Sequence, residues 1–386
     1  MKIRLERDVL AEAVQWAARS LPTRPSVPIL AGLLIRADAD GVSLSSFDYE
    51  TSAQVRVKAT VTDEGQALVS GRLLADISRS LPPKPVDLVA DDSKMELTCG
   101  SARFTLQTLP VADYPALPAM PHSTGTVASS AFAQAVGQVV VAAGRDELLP
   151  VFTGVRVEIE GDIISLLATD RYRMAIKELT WTPHSTSISA NALVPARVLA
   201  ETARSMTSGE SLTLSLASGA GDGLIGFSGD GPGGERQTTT RLLDGEFPKG
   251  VRQIMTMTGS MTIRMNTADL ISAARRVALV AERNTSLQMM IEEGSVTLSA
   301  ATGDQAQASE ALEATIDLMG SAEPALHAAG FNPTYLLDAL GAFDTPYIGF
   351  SFTAPGKPCL LTGLAEIDGE PMADYKHVIM LMRLPG

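Results

Sequence analysis

The chain has little of what metal, redox or nucleophilic chemistry requires. Its 386 residues include two cysteines, Cys99 and Cys359, and four histidines. Two thiols cannot build a disulfide framework or a four-thiolate metal site. They fall near equivalent places in the first and third of three internal repeats, so they are expected in separate cores without a bridge. His122, His184, His327 and His377 stand singly, without metal-ligand spacing, and read as surface or satisfied loop residues. There is no GxxxxGK[ST] phosphate loop, no strand followed by GxGxxG and no GxSxG elbow. GPGGE at residues 231–235 reads as a hairpin tip. No catalytic residue, metal or cofactor is expected. No run approaches the roughly 20 apolar residues that span a bilayer. The opening MKIRLERDVL alternates charged and apolar residues, unlike the apolar centre of a signal peptide. A cytoplasmic protein without a membrane partner is expected.

What the chain does have is repetition. Residues 28–48 (PILAGLLIRADADGVSLSSFD), 150–170 (PVFTGVRVEIEGDIISLLATD) and 287–303 (LQMMIEEGSVTLSAATG) share one pattern: an apolar strand, a turn with glycine, a second apolar strand. Gly32 and Asp48 are sixteen apart, as are Gly154 and Asp170. A second pattern follows each time: VSGRLLADI from Val69, VPARVLAET from Val194 and FNPTYLLDA from Phe331, each with an acid at one place (Asp76, Glu201, Asp338). The spacing of about 125 to 135 residues suits a whole domain rather than a solenoid turn. Asp48 and Asp170, recurring at one position, read as turn residues rather than a catalytic pair.

Each repeat opens with an apolar face at helical spacing: Val9, Leu10, Ala13, Val14, Ala17; then Phe132, Val136, Val139, Val140, Ala143; then Leu270, Ala273, Ala274, Val277, Val280. Ser129 and Asn266 are candidate N-caps. A shorter helix follows the paired strands, over 72–80, 196–206 and 333–342, with Pro195 and Pro333 at or before the first turn, where a missing N–H costs little. Alternating strands complete each unit. The fold class is therefore α+β: three repeated two-layer domains, each with two helices on one face of an antiparallel sheet. The divisions fall at 1–121, 122–254 and 255–386, near the proline-rich 115–124 and the Gly/Pro-containing 247–260.

Net charge is −13, which on its own argues against nucleic acid. The six predicted helices, however, hold nine basic and seven acidic residues, so the acidity lies in sheets and loops. Arg72 and Arg79 are seven apart, as are Arg197 and Arg204, which places each pair on one helix face. Asp76 and Glu201 lie where they can pair with an arginine four residues away. Two readings stay open: a solvated face of ordinary ion pairs, or a row of arginines facing phosphates. The third repeat has no arginine there.

Residues 24–35 (RPSVPILAGLLI), 101–117 (SARFTLQTLPVADYPAL), 166–175 (LLATDRYRMA), 241–248 (RLLDGEFP) and 377–386 (HVIMLMRLPG) together resemble the bacterial DNA polymerase III β sliding clamps over essentially the full length. The closing -RLPG is similar to that of actinobacterial members. The resemblance implies a DNA clamp fold and a head-to-tail homodimer forming a ring. It also implies a processivity function in DNA replication: double-stranded DNA held topologically, with the polymerase alpha subunit, the clamp loader and other clamp-motif proteins as partners. The DNA-facing positions it implies are Arg24, Arg72, Arg79, Arg197 and Arg204. The peptide-binding cleft it implies comprises Phe152, Thr169, Arg171, Tyr172, Arg173, Met174, Pro248, Arg252, Val378, Met380, Leu381 and Met382. The implied subunit interface sets Arg103, Phe104 and Leu106 against Leu279 and Val280.

The chain departs from the family pattern in four places. Leu381 stands where a proline is usual, Arg171-Tyr172 where Gly-His is usual, residues 284–289 (NTSLQM) where Arg-Gly-Val-Arg-Leu is usual, and Pro333 is uncommon. An alternative reading is a specialised clamp paralogue whose altered cleft tolerates a clamp-directed peptide inhibitor.

Overall fold

The computed structural model describes residues 1–216, 223–282, 285–303, 305–318 and 326–384. Asn284 of the departing segment and the closing Pro385-Gly386 lie outside the described residues. Backbone packing groups the chain into two compact units.

The first unit comprises Met1–Ala133, Trp181–Ile188 and Val198–Leu242. Among the described residues its strands form one fourteen-stranded antiparallel sheet. The sheet does not stop where the first repeat ends. Gly234–Arg241 of the second repeat pairs with Thr51–Val57 of the first, in register from Gly234↔Val57 to Thr240↔Thr51. Hydroxyls lock this seam: Thr238 Oγ1 donates to Ser52 O at 2.6 Å, and Ser52 Oγ lies 2.6 Å from Thr239 Oγ1. Gly234 is required there, because a Cβ would sit 1.8 Å from Arg56 O. The Pro232-Gly233 dipeptide turns the hairpin between Leu224–Gly231 and Gly234–Arg241, as the GPGGE reading expects.

The second unit comprises Gln134–Thr180, Ser189–Arg197 and Leu243–Gly386. Its described strands form a nine-stranded and a four-stranded sheet. Here Arg173–Thr180 of the second repeat pairs with Tyr375–Ile379 of the third, from Arg173↔Ile379 to Lys177↔Tyr375. Sheets therefore cross the borders between repeats. Each crossing saturates a strand edge that would otherwise expose unpaired N–H and C=O groups.

The helices are α1 (Arg7–Ala17), α2 (Gly71–Ser80), α3 (Ser129–Val140), α4 (Ala196–Ser205), a short α5 (Val251–Ile254), α6 (Thr267–Ala278) and α7 (Pro333–Leu340). The expected long and short helix of each repeat are α1/α2, α3/α4 and α6/α7. Their apolar faces are buried: Leu10, Ala13, Val14 and Ala17 on α1, Leu74 and Ile77 on α2, Leu270, Ala273, Ala274 and Val277 on α6. Asn266 caps α6 by accepting from Asp269 N at 3.1 Å. Asn332 does the same for α7, accepting from Thr334 N and Tyr335 N, with Pro333 in the first turn. Ser129 departs from expectation. It is the first helical residue, its N–H is held by Glu210 O at 3.0 Å, and its buried Oγ finds no partner among the described residues. An N-cap must stand outside the helix for its side chain to reach back to the free N–H groups.

Cys99 and Cys359 are both buried free thiols, one in each unit.

Candidate functional site

The recurring aspartates shape two equivalent turns. Asp48 Oδ1 accepts from Glu50 N (3.0 Å) and Thr51 N (2.6 Å); Asp170 Oδ1 accepts from Tyr172 N and Arg173 N, both at 3.0 Å. The residue after each aspartate has a left-handed backbone, Tyr49 at φ 75° and Arg171 at φ 80°. These are the non-glycine residues with positive φ among those described. The aspartate carboxylate supplies local hydrogen bonds that offset the steric cost of that conformation.

The second of these turns adjoins an apolar core cluster in the second unit. The cluster comprises the buried Leu167, Met174, Ile176, Leu193, Phe247, Val251, Met255, Leu360 and Val378, with the partly buried Val151, Leu243, Ile254 and Met257 packed against it. Of the residues the resemblance implied, Met174 and Val378 lie in this cluster, and Pro248 follows its Phe247. Thr169 and Arg173 are buried as hairpin scaffolding: Thr169 Oγ1 donates to Arg173 O (2.8 Å) and accepts from Arg171 N (3.2 Å). Phe152 is half-buried, and its ring carries the Arg171 guanidinium at 5.6 Å. Arg252 is exposed but fixed, bonding Glu158 at 2.7 and 3.0 Å and Glu178 at 3.2 Å. Met380, Leu381 and Met382 are half-buried. Their stretch is held by Met380 N to Tyr172 O and Met382 N to Gly330 O, both 2.8 Å. The unbranched thioethers suit a surface that adapts to more than one ligand.

Sequence reasoning named Pro248 and Arg252 in the segment 243–257 but missed its apolar residues Leu243, Phe247, Val251 and Met255, which join the cluster. It also missed Tyr335, whose ring lies stacked on Tyr172 (6.3 Å) with Arg173 over it at 4.4 Å. Burial, and the negative charge of Asp170, raise the Tyr335 hydroxyl above its ordinary pKa. The Tyr-x-x-Asp spacing on α7 was the available signal, since it places Tyr335 and Asp338 on one helical face.

His377 corrects an expectation. It is a fully buried strand residue, not a surface or loop histidine. Its Nδ1 lies 3.0 Å from Tyr375 Oη, which itself donates to Gln138 O at 3.0 Å. The hydroxyl proton is thus committed, so the imidazole hydrogen sits on Nδ1, and Nε2 has no partner among the described residues. Burial, reinforced by Arg173, pushes the His377 pKa down to about 3. The other three histidines are exposed, as expected. No group of three or more potential metal ligands occurs among the described residues.

The arginines implied to face DNA are all exposed: Arg72 and Arg79 on α2, Arg197 and Arg204 on α4, and Arg24 in a loop. Arg72 donates to Pro22 O at 3.0 Å, in place of the expected pairing with Asp76, and Arg204 donates to Ala200 O at 3.1 Å. Arg19, absent from the implied DNA-facing set, lies with Arg24, Arg72, Arg79 and Arg204 in the first unit. Its guanidinium lies over Trp16 at 5.3 Å. Burial lowers its pKa; Glu201 opposes that shift and Arg204 adds to it.

The implied interface residues divide. Arg103 is exposed and Phe104 half-buried, while Leu279 is 84% exposed just beyond α6, with Val280 half-buried. Leu106 is 2% exposed and belongs to the core. Alternation explains this: Arg103, Thr105 and Gln107 of the strand Ala102–Leu109 face out, so Leu106 faces in.

A three-part match accompanies this geometry. Family models of the DNA polymerase III beta subunit match in order: the N-terminal domain at residues 1–118, the central domain at 126–249 and the C-terminal domain at 252–383. The beta sliding clamp of Streptomyces coelicolor is 54% identical over the whole of both chains. That of Micrococcus luteus is 53% identical over 82% of this chain and all of its own. A beta sliding clamp homolog, GriR of Streptomyces muensis, is 39% identical over 99% of both. In fold, the chain superposes on the sliding clamp of Bacillus subtilis with a TM-score of 0.88, at 23% identity and full coverage of both chains. A Pseudomonas aeruginosa clamp bound to griselimycin gives 0.86 at 24% identity, again over both full chains. The chain belongs to the DNA polymerase III beta subunit family, the sliding clamps, which are non-catalytic processivity factors.

Proposed function

We propose that this chain works as a replicative sliding clamp, a homodimer that encircles duplex DNA and tethers polymerase and other partners through the cleft of the second unit. The observation that supports the cleft assignment is the apolar cluster around Met174, Phe247 and Val378, beside the exposed Arg171–Tyr172 turn and the half-buried Met380–Met382. An apolar groove with a few fixed polar groups on its rim is the form a short peptide with apolar anchors requires. The replicative polymerase alpha subunit and the clamp loader are partners that would present such peptides.

The exposed arginines Arg24, Arg72, Arg79, Arg197 and Arg204 serve as phosphate contacts on a chain whose net charge is −13. Tight phosphate binding would oppose sliding; a few basic contacts on an acidic protein hold DNA weakly and repel it elsewhere. For the homodimer, Leu279 is the apolar contact that solvent exposure favours, with Arg103 and Phe104 of the partner subunit opposite. The strand Ala306–Glu313 is an edge of its sheet among the described residues and offers backbone pairing beside Leu279. We divide the chain into domains at 1–121, 122–254 and 255–386, and place the protein in the cytoplasm, where replication occurs; no helix among the described residues is long and apolar enough to cross a membrane. The beta sliding clamp of Streptomyces coelicolor is 54% identical over the whole chain, which supports the replicative reading over the inhibitor-tolerant one.

Titration of the full chain with a peptide from the polymerase alpha subunit tests the cleft. Binding that is abolished in Met382→Asp and Pro248→Asp variants supports the assignment; binding indifferent to both removes it.

A further inference from the structure

A second cavity of the second unit, about 150 Å³ in volume, lies beside the latter half of α3 and the turn that follows α7. It shares no residue with the apolar cluster around Met174 and Phe247. Two buried rings form its apolar wall, Phe343 and Tyr375, with centres 4.8 Å apart. Gln138, Lys177, Asp344 and Asp374 form its polar wall. Asp344 is exposed, so the mouth opens at the surface.

The cation and the hydroxyl of this wall are already engaged. Lys177 Nζ lies 2.5 Å from Asp374 Oδ2, and the Tyr375 hydroxyl donates to Gln138 O at 3.0 Å. Acceptors are left over. The Gln138 side chain is buried and donates through Nε2 to Ala342 O at 3.0 Å, which fixes Oε1 as its free end. That oxygen is buried and has no partner among the described residues. Asp344 accepts from Gln134 Nε2, and no cation pairs with it among the described residues. Two carboxylates against one ammonium leave the wall with one negative charge.

A ligand that complements this set carries several N–H donors, a positive charge and a thin apolar stem. Guanidinium and ammonium heads have donors and no acceptor. They form charge-assisted bonds to carboxylates and are attracted to aromatic faces. A divalent cation fits less well, because hard cations gather six or more oxygens and no group of three or more potential ligands occurs among the described residues. The volume suits one side-chain head, well below the roughly 300–1,000 Å³ of pockets for drug-sized ligands.

We infer that this cavity is a docking point for a basic side chain, an arginine or lysine presented by a partner protein, with Asp344 holding its charge. The assignment is independent of the cleft.

Saturation-transfer NMR on the full chain at fixed ionic strength tests it. The probes are butylguanidinium against the neutral butylurea, and a capped tripeptide of arginine between two glycines against its citrulline counterpart. A partly exposed charge-assisted bond supports a preference of about three- to tenfold for each charged probe. Asp344→Asn removes that preference. The side chain it alters is exposed, so its melting temperature should match the parent's. Met382→Asp, which alters the cleft, leaves the preference in place. Equal binding of charged and neutral probes, or a preference that survives Asp344→Asn, overturns the inference. A preference lost in Met382→Asp places the probes in the cleft and also overturns it. Binding of butylguanidinium without the arginine peptide assigns the cavity to a free amine; displacement of both by potassium, and not by choline, assigns it to a metal ion. Either result overturns the inference.

Discussion

Arg173 Nη1 lies 2.6 Å from the carboxylate of Asp338, 165 residues further along the chain. The same guanidinium holds Asp170 at 3.0 Å, so one buried arginine ties the cleft's turn to helix α7. Its side chain is only 6% exposed, whereas that of Asp338 is 32% exposed. Removing one partner of a buried pair leaves the other charge desolvated, at about 3–5 kcal/mol, and the partial exposure of Asp338 lowers that range. Arg173→Ala is therefore expected to destabilise the protein by about 2–3 kcal/mol and to weaken peptide binding. Asp338→Asn should cost less. Denaturant unfolding of both variants, with peptide titration alongside, measures the two effects.

His377 predicts a pH dependence. Its folded pKa of about 3 lies below the ordinary 6.5. Between these values the unfolded chain binds the proton and the folded chain does not. Stability therefore rises with pH across that window and is lost as pH falls from 6.5 toward 3. The slope from this one group is at most about 1.4 kcal/mol per pH unit. Unfolding free energies measured from pH 7 to pH 4 should show this slope reduced in His377→Asn.

Leu279 and Leu106 should behave oppositely. Leu279→Asp places a charge on a side chain that is 84% exposed in the single chain, so it should leave the melting temperature of the monomer unchanged and shift sedimentation from dimer to monomer. Leu106→Ala removes buried methyl groups from the core and should cost about 2–5 kcal/mol. Its effect should appear in unfolding rather than in the monomer–dimer constant.

The exposed arginines should act through salt. Replacing Arg72, Arg79 and Arg204 with Gln is expected to flatten the dependence of DNA affinity on salt, by roughly one unit of log–log slope for each phosphate no longer neutralised. Linear DNA binding at several salt concentrations reads this directly.

Much of this architecture was legible in the sequence because it is local. Helical spacing placed the six main helices, Asn266 announced its cap, and the recurrence of Asp48 and Asp170 announced two turns. What escaped depends on distant partners. Nothing in Gly234–Arg241 alone says that it pairs with Thr51–Val57, because strand alternation marks which face is buried but not which edge is joined. The same limit hid the apolar cluster residues Leu243, Phe247, Val251 and Met255 and the deep burial of His377. Leu106 was avoidable, since alternation with Arg103 and Thr105 already pointed it inward.

Retention on circular DNA tests the central claim most directly. The protein is loaded onto nicked circular duplex by a clamp loader, washed in high salt, and the circle is then cut once. The account predicts that the protein stays on the intact circle through the wash and leaves within minutes of linearisation, because a ring held by topology slides off a free end. Retention that is unchanged by cutting, or release in salt before cutting, would contradict it.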